Sequence, residues 1–113
     1  MSRLSQLKIL NSDGLKLEAV FVEPDSKPQA YALYAHCFTC TKEIAAAVRI
    51  AGELAAYGVA VLRFDFAGLG ASEGDFLHQT FSKNVSDVVH AARTMEEHNW
   101  TPRLLIGHSL GGA

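Results

Sequence analysis

Apolar and polar residues change their spacing several times along this 113-residue chain, and each change marks an element. Leu4 to Leu10 is a short apolar run with polar interruptions. Leu15, Leu17, Ala19 and Phe21 then alternate with Lys16 and Glu18, the period of a strand with one wet face. Between the two runs, Asn11-Ser12-Asp13-Gly14 carries an Asp-Gly turn signal, so a β-hairpin is predicted over about residues 4–22. Pro24 to Pro28 is a polar loop. Ala30–Ala35, Val59–Phe64 and Leu104–Ile106 are continuous apolar runs, the pattern of strands buried on both faces of a parallel sheet.

Helical spacing fills the gaps. Glu43 to Tyr57 places Ile44, Ala47, Val48, Ala51, Leu54 and Ala55 on one face, with Thr41 as N-cap and Gly58 as the stop. Phe81 to His98 does the same with Val85, Val88, Val89, Ala92 and Met95, polar residues lying opposite. Asp65 to Thr80 is loop-like, with Gly68, Gly70 and Gly74, and Thr101-Pro102 breaks the chain before the last run. The order is hairpin, β, α, β, α, β, turn. Strands alternating with helices imply an α/β fold, a parallel sheet with helices on its faces. No repeat, low-complexity segment or linker divides the chain. A single partial domain over residues 1–113 is expected, with a βαβαβ core over about residues 30–107.

Composition narrows the partners. The chain is 49% hydrophobic and 19% charged, a globular balance. Its 10 basic and 12 acidic residues leave a formal charge of −2, and the basic residues are scattered. That gives no electrostatic case for nucleic acid or an anionic membrane. No run approaches the ~18 apolar residues of a bilayer span. The start, Met1 to Lys8, is too polar for a secretory signal, so a cytoplasmic setting is expected. The sequons at Asn84 and Asn99 are then chance matches. Two cysteines, Cys37 and Cys40, do not make a disulfide scaffold.

Candidate chemistry lies in three places. Gly107-His108-Ser109-Leu110-Gly111 matches G-x-S-x-G directly after a buried strand. A serine there sits on a strained strand-to-helix turn that lifts its hydroxyl above the sheet edge. Residues two before and two after it must be tiny because their backbones pass close, which Gly107 and Gly111 satisfy. His36-Cys37-Phe38-Thr39 follows the strand Ala30–Ala35. With the serine reading, the backbone N–H groups of Phe38 and Leu110 become the oxyanion-hole donors, and His36 a hydrogen-bonded loop histidine beside the site. The third place is Asp65-Phe66-Ala67-Gly68-Leu69-Gly70-Ala71-Ser72. Its glycines, continued to Gly74, space as G-x-G-x-x-x-G and open no helix at once, which argues against a dinucleotide loop.

These ordered motifs, His-x-Phe, Asp-x-x-Gly-x-Gly-x-Ser and Gly-x-Ser-x-Gly, resemble the α/β-hydrolase superfamily from about Leu15 onward. The resemblance implies the N-terminal portion of that fold, with an incomplete sheet. It also implies a serine hydrolase cleaving a small-molecule ester, thioester or amide through an acyl-enzyme, with no metal or organic cofactor. Asp65 would set its loop beside the active site. Ala35 to Cys40, Leu62 to Phe66 and Ser72 to Phe76 look more narrowly like bacterial hydrolases fused to an OsmC-like C-terminal domain. Cys37 stands where the commoner oxyanion loop has glycine.

Ser109 still needs a base and an orienting acid, and in this fold they follow the serine in chain order. Only four residues follow Ser109, none of them acidic or histidine. His108 adjoins Ser109 on the same turn, His78 is in a loop, and His90 and His98 read as solvated helix positions. The 113-residue chain is therefore expected to be inactive as an N-terminal fragment. With the strand at Leu104–Ile106 lacking a neighbour, it is also expected to fold poorly or self-associate. Two rival readings stand beside this one. Cys37-Phe38-Thr39-Cys40 is C-x-x-C at the start of a predicted helix, where a dithiol redox module would sit. The other rival is a non-catalytic fragment.

Overall fold

The structure, a computed structural model, describes residues 2–35, 45–66, 72–74 and 81–107. Its elements run β1 (Ser2–Leu10), β2 (Lys16–Pro24), β3 (Ala30–Ala35), α1 (Ala45–Ala56), β4 (Val59–Phe64), α2 (Phe81–Glu97) and β5 (Pro102–Gly107). Among the described residues the strands form one sheet in the order β1-β2-β4-β3-β5. β4, β3 and β5 are parallel, as the alternation of strands and helices requires, and β2 joins them antiparallel to β4. The sheet is therefore mixed: a parallel βαβαβ unit with an antiparallel hairpin on one side. The proposed Thr41 cap and the start of the first helix at residues 43–44 lie outside the described residues.

The hairpin turn is held by its own side chain. Asn11 Oδ1 accepts hydrogen bonds from the N–H groups of Asp13 at 3.0 Å and Leu15 at 2.9 Å. Gly14 supplies the positive φ of 76° that the turn needs. The strands run longer than the predicted 4–22, reaching Ser2 and Pro24 in register. Pro24 ends the ladder, where its missing N–H costs nothing. Cross-strand pairs Arg3–Glu23 and Lys8–Glu18, each at 3.5 Å, follow the same register and, being partly exposed, add little stability.

Two cores sandwich the sheet. Odd- and even-numbered residues of one strand face opposite sides. Leu17, Ala19 and Phe21 of β2 and Ala60, Leu62 and Phe64 of β4 pack with Ala91 and Met95 of α2. Val20, Val22 and Val61 pack with Ala47, Ala51 and Ala55 of α1. The expectation of one wet face on β2 is thus corrected. Lys16, Glu18 and Glu23 lie toward solvent at the two ends of the strand, while from Ala19 to Val22 both faces are covered by helices.

The α2 stripe also differs from the predicted one. Its buried positions are Asp87, Ala91 and Met95, with Val88 and Ala92 partly covered, while Val85 and Val89 are 46% and 40% exposed. The sheet lies under one edge of the apolar face and leaves the other open. Buried Asp87 accepts a hydrogen bond from Asn11 Nδ2 at 3.0 Å, tying the hairpin turn to the helix across 76 residues. Ser12 and Ser86 hydroxyls at 3.2 Å and the Lys83–Asp13 pair at 3.7 Å reinforce that contact.

Each helix stops on a residue with positive φ. Gly58 at 86° closes α1, as expected. Asn99 at 63° closes α2, with Trp100 N–H donating to Met95 O at 2.8 Å and Asn99 N–H to Glu96 O at 3.0 Å, a Schellman arrangement. His98 is consequently beyond the helix end. Trp100 then stacks on Phe21 with centroids 3.7 Å apart.

β5 meets two expectations that pulled apart. Its apolar run read as a strand buried on both faces but also as an edge lacking a neighbour, and the second holds among the described residues, where Leu104 is 47% and Leu105 63% exposed. Among the described residues it pairs with β3 alone and forms the sheet edge, and it starts at Pro102, a residue that edge strands tolerate.

Candidate active site

Parallel strands bring their carboxyl ends to one edge, and ligands of open α/β sheets bind outside that edge. Here Ala35 at the end of β3 is the partner of Gly107 at the end of β5. Tyr34 is the partner of Arg63, so Phe64, the last residue of β4, stands beside Ala35. All three motif segments leave from these neighbouring ends. Residues 36–44 follow β3, residues 65–74 follow β4 and residues 108–113 follow β5. The fold thus brings together the strand ends from which three sequence signals leave, Ala35 and Gly107 being paired although far apart in the chain.

Of the predicted site residues, Gly107 and Asp65 are described. Gly107 closes β5 at the edge. Asp65 follows β4 directly and is 1% exposed. Its N–H donates to Glu18 O at 2.9 Å, which continues the β2–β4 ladder one step past the strand. Arg63, on the same side of the strand two residues earlier, is buried as well, and Phe66 packs edge-on against Phe64 at 4.9 Å. Ser109, Phe38, Leu110, His36, Gly111, Cys37 and Cys40 lie outside the described residues, as do His78 and His108.

Ser72, the last residue of the Asp-x-x-Gly-x-Gly-x-Ser motif, and Glu73 bond back to β2. Ser72 Oγ accepts from Glu18 N–H at 2.8 Å and donates to Asp65 O at 2.6 Å. Glu73 Oε1 accepts from Lys16 N–H at 2.8 Å, and Glu73 N–H donates to Lys16 O at 3.0 Å. No periodicity marks them, because their partners are backbone groups of β2.

The remaining described histidines lie away from this edge. α2 runs back to the amino end of β5, carrying His90 and His98 with it. His90 Nδ1–H donates to Ser86 O at 2.8 Å, and His98 Nδ1–H to Thr94 O at 2.9 Å. His98 also stacks on Trp100 at 4.5 Å. His98 is exposed as expected, whereas His90 is half-buried against its own helix. Among the described residues no group of three or more His, Cys, Asp or Glu could hold a metal ion, and no helix is long and apolar enough to cross a membrane.

Residues 27–113 match the family described as "Serine aminopeptidase, S33". Solved structures agree. The chain is similar to Est1E from Butyrivibrio proteoclasticus, seen with ferulic acid bound, at 28% identity and a TM-score of 0.84, covering 92% of this chain and 43% of that one. It is similar to the esterase domain of a Rhodothermus marinus protein at 42% identity and a TM-score of 0.76, covering 97% of this chain and 42% of that one. Pyrococcus furiosus esterase Pf2001, at 20% identity and a TM-score of 0.84, shares the fold over 97% of this chain and 44% of its own length. The chain therefore spans less than half the length of these structures. No curated protein matches it.

Proposed function

The chain belongs to the serine aminopeptidase S33 family of α/β-hydrolases, and from that premise we propose that it carries the nucleophile half of a serine esterase. Ser109 attacks the acyl carbonyl, and the Phe38 and Leu110 amides hold the oxyanion. Gly107 and Gly111 admit the tight turn around Ser109, while His36 and Asp65 support the neighbouring loops. An acid and a histidine that follow Ser109 in the intact enzyme activate it, in the chain order of this fold. The reaction proceeds by addition of Ser109 Oγ to the carbonyl, loss of the alcohol and hydrolysis of the acyl-enzyme by water.

The observation that supports this most is the shared exit of the three motif segments from the carboxyl ends of β3, β4 and β5. Esters are favoured over amides and thioesters because the relatives at 28% and 42% identity are an esterase bound to ferulic acid and an esterase domain. The test is labelling with a fluorophosphonate probe, on the 113-residue chain and on Ser109→Ala. No labelling of the chain alone is expected, with Ser109-dependent labelling once it is part of the intact enzyme. Labelling of the intact enzyme that survives Ser109→Ala would remove Ser109 from the mechanism.

A further inference from the structure

We propose that the outer edge of β1 is an interface between two copies of this protein, joined strand to strand, antiparallel, about a two-fold axis at Leu7. The backbone fixes which groups face outward. Opposed residues of an antiparallel ladder alternate between exchanging both hydrogen bonds and turning both groups away from each other. Lys16 and Glu18 turn theirs away from β1. The Lys16 N–H and O both bond Glu73, the Glu18 N–H bonds Ser72, and Glu18 O accepts from the Asp65 N–H. Their partners on β1 are Leu10 and Lys8. Leu10 and Lys8 therefore turn theirs away from β2, and by the period of two so do Gln6 and Leu4. Among the described residues no strand meets these four N–H and four C=O groups. β1 has no proline in its nine residues and no bulge in its register to blunt this edge.

Self-pairing allows few registers, and the side chains select one. Outward-turned residues must meet outward-turned residues, and opposed residues share a face. Leu4, Gln6, Lys8 and Leu10 all lie on the face that Val20 and Val22 turn to α1, and Leu4 is 67% and Leu10 61% exposed. An axis at Leu7 sets Leu4 against the partner's Leu10, and Gln6 against the partner's Lys8. Each exposed leucine then covers another, at two symmetric places, and all the outward backbone groups are paired. An axis at Gln6 sets Leu4 against the partner's Lys8 and gives neither leucine an apolar partner. An axis at Lys8 sets the two lysines directly opposite each other, which destabilises a sheet.

The surroundings of the strand admit such a partner. A groove of about 480 Å³ lies between the Lys8–Leu10 end of β1 and His90, Arg93 and Glu97 of α2, so α2 does not close over that end of the edge. Lys8 and Arg3 are drawn onto Glu18 and Glu23 of β2, which lowers the repulsion between two basic strands. The axis stands perpendicular to the sheet, so the carboxyl ends of β3, β4 and β5 point in opposite directions in the two copies. Neither copy lends residues to the other's site. Pairing uses the same edge in both copies, so association stops at two.

The test is sedimentation velocity of the intact protein over a dilution series, with a circular dichroism melt of every variant. Leu4 to Leu10 gives seven facing positions a side, few beside the ~20–30 of a standard interface, so a dimer that dissociates on dilution is expected. Leu4→Lys is expected to raise its dissociation constant about tenfold, because the change is felt at both symmetric places. Leu10→Glu alone is expected to match it, which keeps the test open where one of the two folds poorly. The double variant sets lysine against glutamate twice and is expected within about threefold of the parent. Tyr57→Lys, at a still more exposed apolar side chain beyond α1, is expected to change nothing. A monomer at every concentration would overturn the proposal. So would a dimer indifferent to both single variants with unchanged melts, a double variant no tighter than either single one, or equal weakening by Tyr57→Lys. Sedimentation reads mass alone, so the outcome is independent of the esterase assignment.

Discussion

The hairpin and β5 lie at opposite edges of one sheet, both built from short apolar runs, and they are finished in different ways. On the hairpin side, Leu7 and Ile9 are covered by α2, and exposed Leu4 and Leu10 fall on a single face, separated by polar residues. The turn beyond Leu10 is stitched to α2 by Asn11–Asp87, and β2 is stitched to the next loop by Ser72 and Glu73. On the β5 side, Leu104 and Leu105 are neighbours pointing to opposite faces, and both are open. Beneath them runs an apolar groove of about 260 Å³ lined by Leu33, Val88, Val89 and Ala92. One edge ties its turn and its second strand to neighbours with polar bonds. The other, among the described residues, leaves apolar side chains open.

The contrast implies that folding free energy is concentrated on the hairpin side, and substitutions can break or sharpen that picture. The largest effect belongs to Phe21→Ala, which removes a buried ring stacked on Trp100 and is expected to cost about 3–5 kcal/mol. Urea denaturation would show it, and a loss near zero would mean the two edges are not so different. Asn11→Ala comes next, at about 1–3 kcal/mol, since Asp87 stays buried without this donor and the turn loses its side-chain acceptor. Asn11→Ser, too short to serve both partners, should recover only part. Smallest in stability is Leu105→Lys, expected within about 0.5 kcal/mol because the side chain is already exposed. Its effect should appear in sedimentation instead. The 113-residue chain is expected to self-associate and the lysine variant to do so less, because a charge on an apolar edge opposes strand pairing. A monodisperse parent chain with a cooperative melt would contradict the expected association.

Much of this architecture is legible in the sequence because it is encoded locally. The Asp-Gly turn, the period-two run in β2, the helical stripes and Gly58 each announce an element from within a few residues. The shared edge of the three strand ends is legible too, since parallel strands have no other way to arrange their carboxyl ends. What stayed hidden depends on partners distant in the chain. Val20 and Val22 look like part of a half-wet strand until α1 covers them. Asp87 looks like a solvated helix position, although its spacing to Ala91 and Met95 places it on the buried stripe. Val85 and Val89 carry the same hydropathy as Val88, and only the position of the sheet decides which is covered. Ser72 closes the Asp-x-x-Gly-x-Gly-x-Ser motif, but the partners of Glu73 are the peptide groups of Lys16, which no residue pattern shows.

Trp100 is the sole tryptophan, and it is stacked between Phe21 and His98. The chain therefore carries a single indole, beside three tyrosines, at the join between its most consolidated core and the strand that ends at Gly107. Its emission, excited where tyrosine does not absorb, reports that one junction without a label. A far-ultraviolet signal lost before the indole signal would reveal fraying elsewhere while the hairpin core holds. Coincident loss would show that the two edges melt as one unit, however unequal their cover.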